Sequence, residues 1–168
     1  MRTLRTAGLT LEPQVAAHAA EMFVVLSDPA IYEFENAPPA SAEWLRTRFE
    51  KLESRRSADG CQQWLNWVLR RDDGALAGYV QATVHEEGRA NIAYELASGH
   101  WGQGVARAAV DAMLEELAAT YGVREVSAVF KQHNQRSRRL LERLGFQPAD
   151  ASGLEPGEAR MTRTIQPA

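Results

Sequence analysis

One cysteine, no long apolar run and no excess of positive charge set the first limits on this chain. The single thiol, Cys61, excludes an internal disulfide framework and a cysteine-rich zinc site. The four histidines and that cysteine show no metal-ligand spacing, so no metal centre is expected. No stretch has the length of a membrane-spanning helix, and the opening "MRTLRTAGLTLEP" lacks the apolar core of a signal peptide. A net charge of −3 gives no support to a nucleic-acid partner. These absences lead to the expectation of a cytoplasmic protein that engages neither membrane nor nucleic acid. What remains is 168 residues, 45% hydrophobic and 24% charged, enough for one globular domain over 1–168 with a real core.

Periodicity divides the chain. Thr3 to Leu11 alternates loosely and predicts a first strand. Pro13 is expected to open a helix through Ala16, Ala20, Phe23 and Val24, because a missing N–H costs nothing in a first helical turn. Asp28-Pro29 ends that element, and "AIYEFENAPPAS" follows, with its aromatics, its acids and the stiff Pro38-Pro39 pair. Ser41 reads as an N-cap, with Trp44, Leu45, Arg48, Phe49 and Leu52 at helical spacing to about Ser54. From Gln62 the period becomes two, with Leu65, Trp67 and Leu69 on one face and Trp64, Asn66 and Val68 on the other. Asp72-Asp73-Gly74 turns the chain into a second strand that aligns Leu76, Gly78, Val80, Ala82 and Val84. After Glu86-Glu87-Gly88 a third strand puts Ile92, Tyr94 and Leu96 on one side and Glu95 on the other. These three predict an antiparallel meander.

Beyond it, Val110, Met113, Leu114, Leu117 and Tyr121 form a helical stripe that Gly122 ends, with Arg107, Asp111 and Glu115 on the polar side. "REVSAVF" is a further strand, and Asn134 begins a helix with Leu140, Leu141 and Leu144 inward. Leu144-Gly145-Phe146 is a glycine stop with an apolar residue just past it. Pro148 to Gly157 reads as loop, and "ARMTRTI" as a last strand. The sum is an α/β (α+β) layer with a mixed sheet of about six to seven strands. Its first half is an antiparallel meander, its second half crosses over through helices, and helices cover both faces.

The most informative stretch is "ELASGHWGQGVARAAVDAML", residues 95–114, where a glycine pair precedes a helix. Amides at a helix N-terminus suit a phosphate, yet no Lys-Ser/Thr follows as a P-loop requires. A dinucleotide fingerprint matches only its first two glycines, since its third falls on Arg107. Taken alone, the glycines fit a tight strand-to-helix turn equally well. Three blocks together say more: Ile92-Ala93-Tyr94-Glu95-Leu96, then Trp101-Gly102-Gln103-Gly104-Val105-Ala106, then Asn134, Ser137, Leu140-Leu141 and Leu144-Gly145-Phe146. In order and spacing they resemble the GNAT family of acyl-CoA-dependent N-acyltransferases, most closely the branch with the ribosomal-protein N-terminal alanine acetyltransferases. Trp101 stands where many members carry Gln or Arg.

The resemblance implies acetyl-CoA as cosubstrate, held at a motif that opens on Trp101, with its pyrophosphate on the amides of about Gly102, Gln103, Gly104, Val105 and Ala106 and with the Gln103 and Arg107 side chains as further contacts. Arg107 reads equally well as a solvated residue paired with Asp111. The thioester arm would lie along Ala93 to Ala97, with the Leu96 N–H facing the carbonyl, and Asn134 would hold the pantetheine arm or simply cap its helix. Glu95 is the candidate base, the alternative being a strand carboxylate that only adds charge; Glu33, Glu35, His85 and Glu86 are weaker candidates. The tyrosine common in the family's second helix is replaced by Leu141, leaving Ser137 as a substitute acid or a capping residue. Tyr32, Phe34, Glu35 and Asn66 are the expected acceptor contacts. The expected activity is acetylation of a primary amine on a small molecule or a peptide N-terminus, by a monomer or homodimer. A non-catalytic acyl-CoA sensor is the alternative.

Overall fold

The computed structural model describes residues 1–34 and 36–167. Glu35, one of the expected acceptor contacts, therefore lies outside the described residues. Among the described residues no helix is long and apolar enough to cross a membrane. Among the described residues eight strands form one sheet: β1 (Leu4–Thr6), β2 (Leu9–Pro13), β3 (Gln63–Arg71), β4 (Leu76–His85), β5 (Arg89–Leu96), β6 (Glu125–Lys131), β7 (Gln147–Ala149) and β8 (Glu158–Thr164). Their order is β1-β2-β3-β4-β5-β6-β8-β7. Neighbours are antiparallel except β5 and β6, which run parallel because α3 (Val105–Tyr121) carries the chain across between them. The remaining helices are α1 (Ala19–Val25), α2 (Ala42–Leu52) and α4 (Gln135–Arg143).

The meander of β3, β4 and β5 is as the alternation predicts. Differences fall at the ends of the chain. Thr3 to Leu11 is a hairpin rather than one strand, turning at Ala7-Gly8 so that Leu4 and Leu11 sit opposite each other, both buried. Pro13 does not open a helix. It closes β2 opposite Trp67, past the last residue that β1 covers, where a missing N–H breaks no ladder. The first helical turn starts three residues later, at Ala16. Part of the stretch expected as loop, Pro148 onward, forms β7 against β8. The hairpin and β7 raise the strand count above the expected six to seven.

The period-two pattern sends alternate residues into two cores. Leu65, Trp67, Val80, Val84 and Ile92 face α3 and α4 and meet Val110, Met113, Leu117, Leu141 and Phe146. Val68 and Leu76 face the other way and meet Met22 of α1 and Leu45 and Phe49 of α2. Two side chains cap helices as the sequence implies. Ser41 Oγ accepts the Trp44 N–H at 3.0 Å, and Asn134 Oδ1 accepts the Ser137 N–H at 3.0 Å.

Candidate active site

The site exists because β5 and β6 part company. They pair only from Arg89–Glu125 to Ile92–Ala128, so Ala93 to Leu96 have no strand on that side. The Ala97 N–H bonds the Ala77 carbonyl at 3.0 Å. Antiparallel alternation then turns the backbone groups of residues 93, 95 and 97 toward β4 and those of 94 and 96 toward the gap. The Leu96 carbonyl in the gap accepts the Trp101 indole N–H at 3.0 Å, which leaves the Leu96 N–H as the donor facing the opening. Ala97, whose amide is already committed, does not offer it.

A cavity of about 170 Å³ fills the gap and reaches both faces of the sheet. Glu95 lines it from the α1–α2 face together with Phe34, and Tyr94, Asn134 and Ser137 line it from the α4 face. The Tyr94 and Ser137 hydroxyls lie 2.6 Å apart. Burial pushes the Tyr94 phenol up to about 12, against the smaller downward pull of that hydrogen bond. On the other face, burial raises Tyr32 and Tyr79, and the Glu95 charge raises both further. Gly78 lets β4 run close beneath this point, since a Cβ there would lie 2.0 Å from the Glu95 carbonyl oxygen.

Next to the gap lies a larger cleft of about 610 Å³, lined by Trp101, Gly102, Gly104, Val105 and Ala106 and by four arginines, Arg107, Arg136, Arg139 and Arg143. Gly102 and Gly104 both have positive φ, 71° and 79°. A Cβ at either would meet nothing within 4 Å, so the loop presents bare backbone to open space. The 17-residue α3 starts here with no side-chain cap and no acidic residue in its first turn. Its orphan N–H groups and positive dipole end, flanked by guanidinium groups, form an anion cradle that fits the pyrophosphate of a coenzyme A thioester.

Comparison with known proteins bears directly on that fit. A model of the "Acetyltransferase (GNAT) domain" family matches residues 8–147. The chain belongs to that family. It is an acetyltransferase, and acetyl-CoA is its cosubstrate. An uncharacterised N-acetyltransferase of Bacillus licheniformis is 26% identical over 148 residues, covering 88% of this chain and 83% of the relative. Two solved structures share the fold. RimL, a ribosomal-protein α-N-acetyltransferase in complex with coenzyme A, has a TM-score of 0.80 at 17% identity, covering 99% of this chain and 100% of its own. A ribosomal-protein alanine acetyltransferase from Vibrio fischeri has a TM-score of 0.78 at 15% identity, covering 98% and 97%.

The acetyltransferase brings most of the residues singled out in its sequence to one place. Glu95, Leu96, Trp101, Ala106, Asn134, Ser137 and Phe34 line the gap, and Val105 and Arg107 join Trp101, Gly102 and Gly104 at the cradle. Gln103 instead folds back, its amide donating to the Gly99 carbonyl at 2.8 Å and accepting from Arg71 at 3.3 Å. Arg107 stands 3.8 Å from Asp111 and still lines the cradle, so both readings of it hold. Tyr32, expected as an acceptor contact, instead donates its hydroxyl to the Leu26 carbonyl at 2.5 Å and does not line the gap. Asn66 lies in a separate cavity beside α2. Among the weaker base candidates, His85 meets Asn91 at 3.0 Å and Glu86 follows it in the turn between β4 and β5, at the far end of the strand from Glu95.

Three contacts at the site are not given by the sequence. Tyr94 stands in the strand block that resembles the GNAT family, but its partner Ser137 comes from another element, 43 residues away. Arg136 sits 3.4 Å over the Trp101 ring, where the cradle meets the gap, and reads in the sequence as one of several arginines on a polar helix. Asp28 Oδ2 accepts the Ser98 N–H at 2.7 Å, tying the loop after α1 to the turn that leads into the cradle. Hydrogen bonds from the Ser98 hydroxyl, then the Ser98 and Ala30 N–H groups, hold the Asp28 carboxyl below its usual range.

Proposed function

We propose that this acetyltransferase moves the acetyl group of acetyl-CoA directly onto a primary amine, on a small molecule or a peptide N-terminus. The observation that carries the reading is the single gap with a carboxylate, Glu95, on one face and a hydroxyl pair, Tyr94 and Ser137, on the other. An amine of pKa about 10 is almost wholly protonated at neutral pH, so a base on the acceptor side is needed. Glu95 takes that proton, directly or through water, before nitrogen attacks the thioester carbon, and the second proton leaves nitrogen for solvent as the new C–N bond makes it acidic. The Leu96 N–H donates to the carbonyl oxygen as it gains charge. The C–S bond then breaks, and the thiolate leaves on the α4 side, next to Ser137. The amide group of Asn134, whose Oδ1 is spent on the cap, has its NH2 left for the pantetheine arm.

The Tyr94–Ser137 pair works by hydrogen bonding rather than by full proton transfer. A phenol raised to about 12 stays protonated at neutral pH, and a thiolate of pKa about 8.5 can leave without a full proton, so the pair need only hydrogen-bond to it. Ser137 Oγ donates to sulfur, Tyr94 donates to Ser137, and solvent supplies the proton. Tyr94→Phe is therefore expected to lower kcat only about tenfold, the worth of one hydrogen bond, with acetyl-CoA Kd unchanged. The wild type and the variant should share the same limbs between pH 7 and 10, since the wild-type phenol stays neutral below about 12. A loss of a thousandfold would mean that Tyr94 is the proton donor after all.

The function itself is tested by incubating the protein with acetyl-CoA and a panel of amines and peptides while following free thiol. Release that depends on an amine and saturates with it supports direct transfer. Tight acetyl-CoA binding without release on any acceptor favours an acyl-CoA sensor.

A further inference from the structure

A third cavity, of about 270 Å³, opens on the same face of the sheet as Glu95. Register places it. Tyr79 pairs with Glu95, and two residues further along β4 is Gln81, which sits across from Asn66 of β3. The cavity is lined by Asn66, Gln81, Thr83 and Trp64 from the sheet and by Arg48 and Lys51 from α2. Neither Arg48 nor Lys51 forms an ion pair among the described residues, although Arg46 on the same helix pairs with Glu50. Asn66 is only 6% exposed, and its side-chain amide has no hydrogen-bond partner among the described residues, so its polar atoms face the cavity. Tyr79, two residues before Gln81 on β4, lines the Glu95 gap, so the cavity and the gap are neighbours.

Two exposed cations without a carboxylate partner among the described residues, Arg48 also lying 5.9 Å from the Trp44 ring, above two unspent amides suit a carboxylate. Glu95 at the gap suits the opposite charge, an ammonium about to be deprotonated. The distance between the two is fixed by strand geometry. Gln81 is one strand and two residues from Glu95, and Asn66 two strands and two residues, which gives about 8 to 12 Å. Resting on the amine-acetylation reading above, we propose that the acceptor is an amine carrying a carboxylate about 8 to 12 Å from its reactive nitrogen, with that carboxylate held by Arg48, Lys51, Asn66 and Gln81. A free α-amino acid is too short for this span. An extended peptide advances about 3.3 to 3.6 Å per residue, so the carboxylate sits at the third residue, as a C-terminus or as an acidic side chain.

The test compares Ala-Ala-Ala, its C-terminal amide, and the amide of Ala-Ala-Asp as acceptors with the wild-type chain. The free acid is expected to exceed the alanine amide at least tenfold in kcat/KM, through KM. If the aspartyl amide matches the free acid, the carboxylate is read wherever it comes from. If only the free acid succeeds, the site reads a peptide C-terminus. Combining Arg48→Ala with Lys51→Ala should bring the free acid to within twofold of its amide by raising KM, with kcat for the acid held within twofold. Equal use of acid and amide by the wild-type chain overturns the proposal while leaving amine acetylation standing. If no peptide is turned over, amine acetylation of peptides fails, and calorimetric titration of the CoA-loaded chain with acid and amide decides the cavity's role. Tighter binding of the acid supports it, and equal or absent binding overturns it.

Discussion

Replacing Glu95 by Gln is expected to lower kcat at least a hundredfold at pH 7 and to leave the acetyl-CoA Kd within twofold. The two parts of that result have separate physical causes. Glutamine keeps the shape and polarity of the side chain on its half-buried strand position, so β5, the Leu96 N–H and the cradle beyond it stay in place. What is lost is the capacity to accept a proton, and a positioned general base contributes typically 10² to 10⁴ in rate. The pH dependence sharpens the test. An amine of pKa about 10 gains roughly tenfold in neutral fraction for each pH unit below that value. The variant, which must find amine already neutral, should therefore recover as pH rises, and its deficit against the wild type should shrink steadily from pH 7 toward 10. A deficit that is constant with pH would mean that Glu95 contributes charge rather than proton transfer. Turnover unchanged at every pH would remove it from the mechanism.

Much of this arrangement was legible in the sequence, and the parts that were not share a cause. Local patterns carried the helices and the meander: the Ser41 cap, the alternation of Trp64 to Leu69, and the stripe from Val110 to Leu117 all bury the faces they imply. The cradle was legible because its parts are contiguous, two glycines and a helix start within a few residues. Ends of elements were harder. Pro13 has the same fixed φ at the end of a strand as at the start of a helix, and only the extent of β1 decides between them. The gap was not legible at all from periodicity, since it is the absence of pairing between Ala93 and β6. For that reason Tyr94 read as one more aligned strand residue, although the parted strands turn its hydroxyl into a partner of Ser137, 43 residues away in sequence. The helix position where the family commonly has tyrosine is Leu141, and the phenol that meets Ser137 comes from β5 instead. Leu141 itself is fully buried in the core.

The cradle makes the other large prediction. Gly104→Val is expected to weaken acetyl-CoA binding at least a hundredfold by calorimetry while the protein still folds. Two effects act together. Gly104 has φ 79°, a conformation that costs a residue with a Cβ about 1 to 2 kcal/mol and a β-branched one more. The side chain would also enter space that nothing in the protein occupies, where the N–H groups at the start of α3 point. Strain alone can be separated from the loss of the ligand's space, because the same helix supplies its own control. Gly122 ends α3 with φ 66° and likewise has nothing within 4 Å of a built Cβ. Gly122→Val should thus incur a similar backbone penalty, lowering the unfolding midpoint, yet leave acetyl-CoA binding within a few-fold of the wild type. If both variants lose binding equally, helix stability and not the open backbone at Gly104 governs the cradle. If neither does, the pyrophosphate is held by the four arginines rather than by the backbone, and the glycine pair is a turn and nothing more.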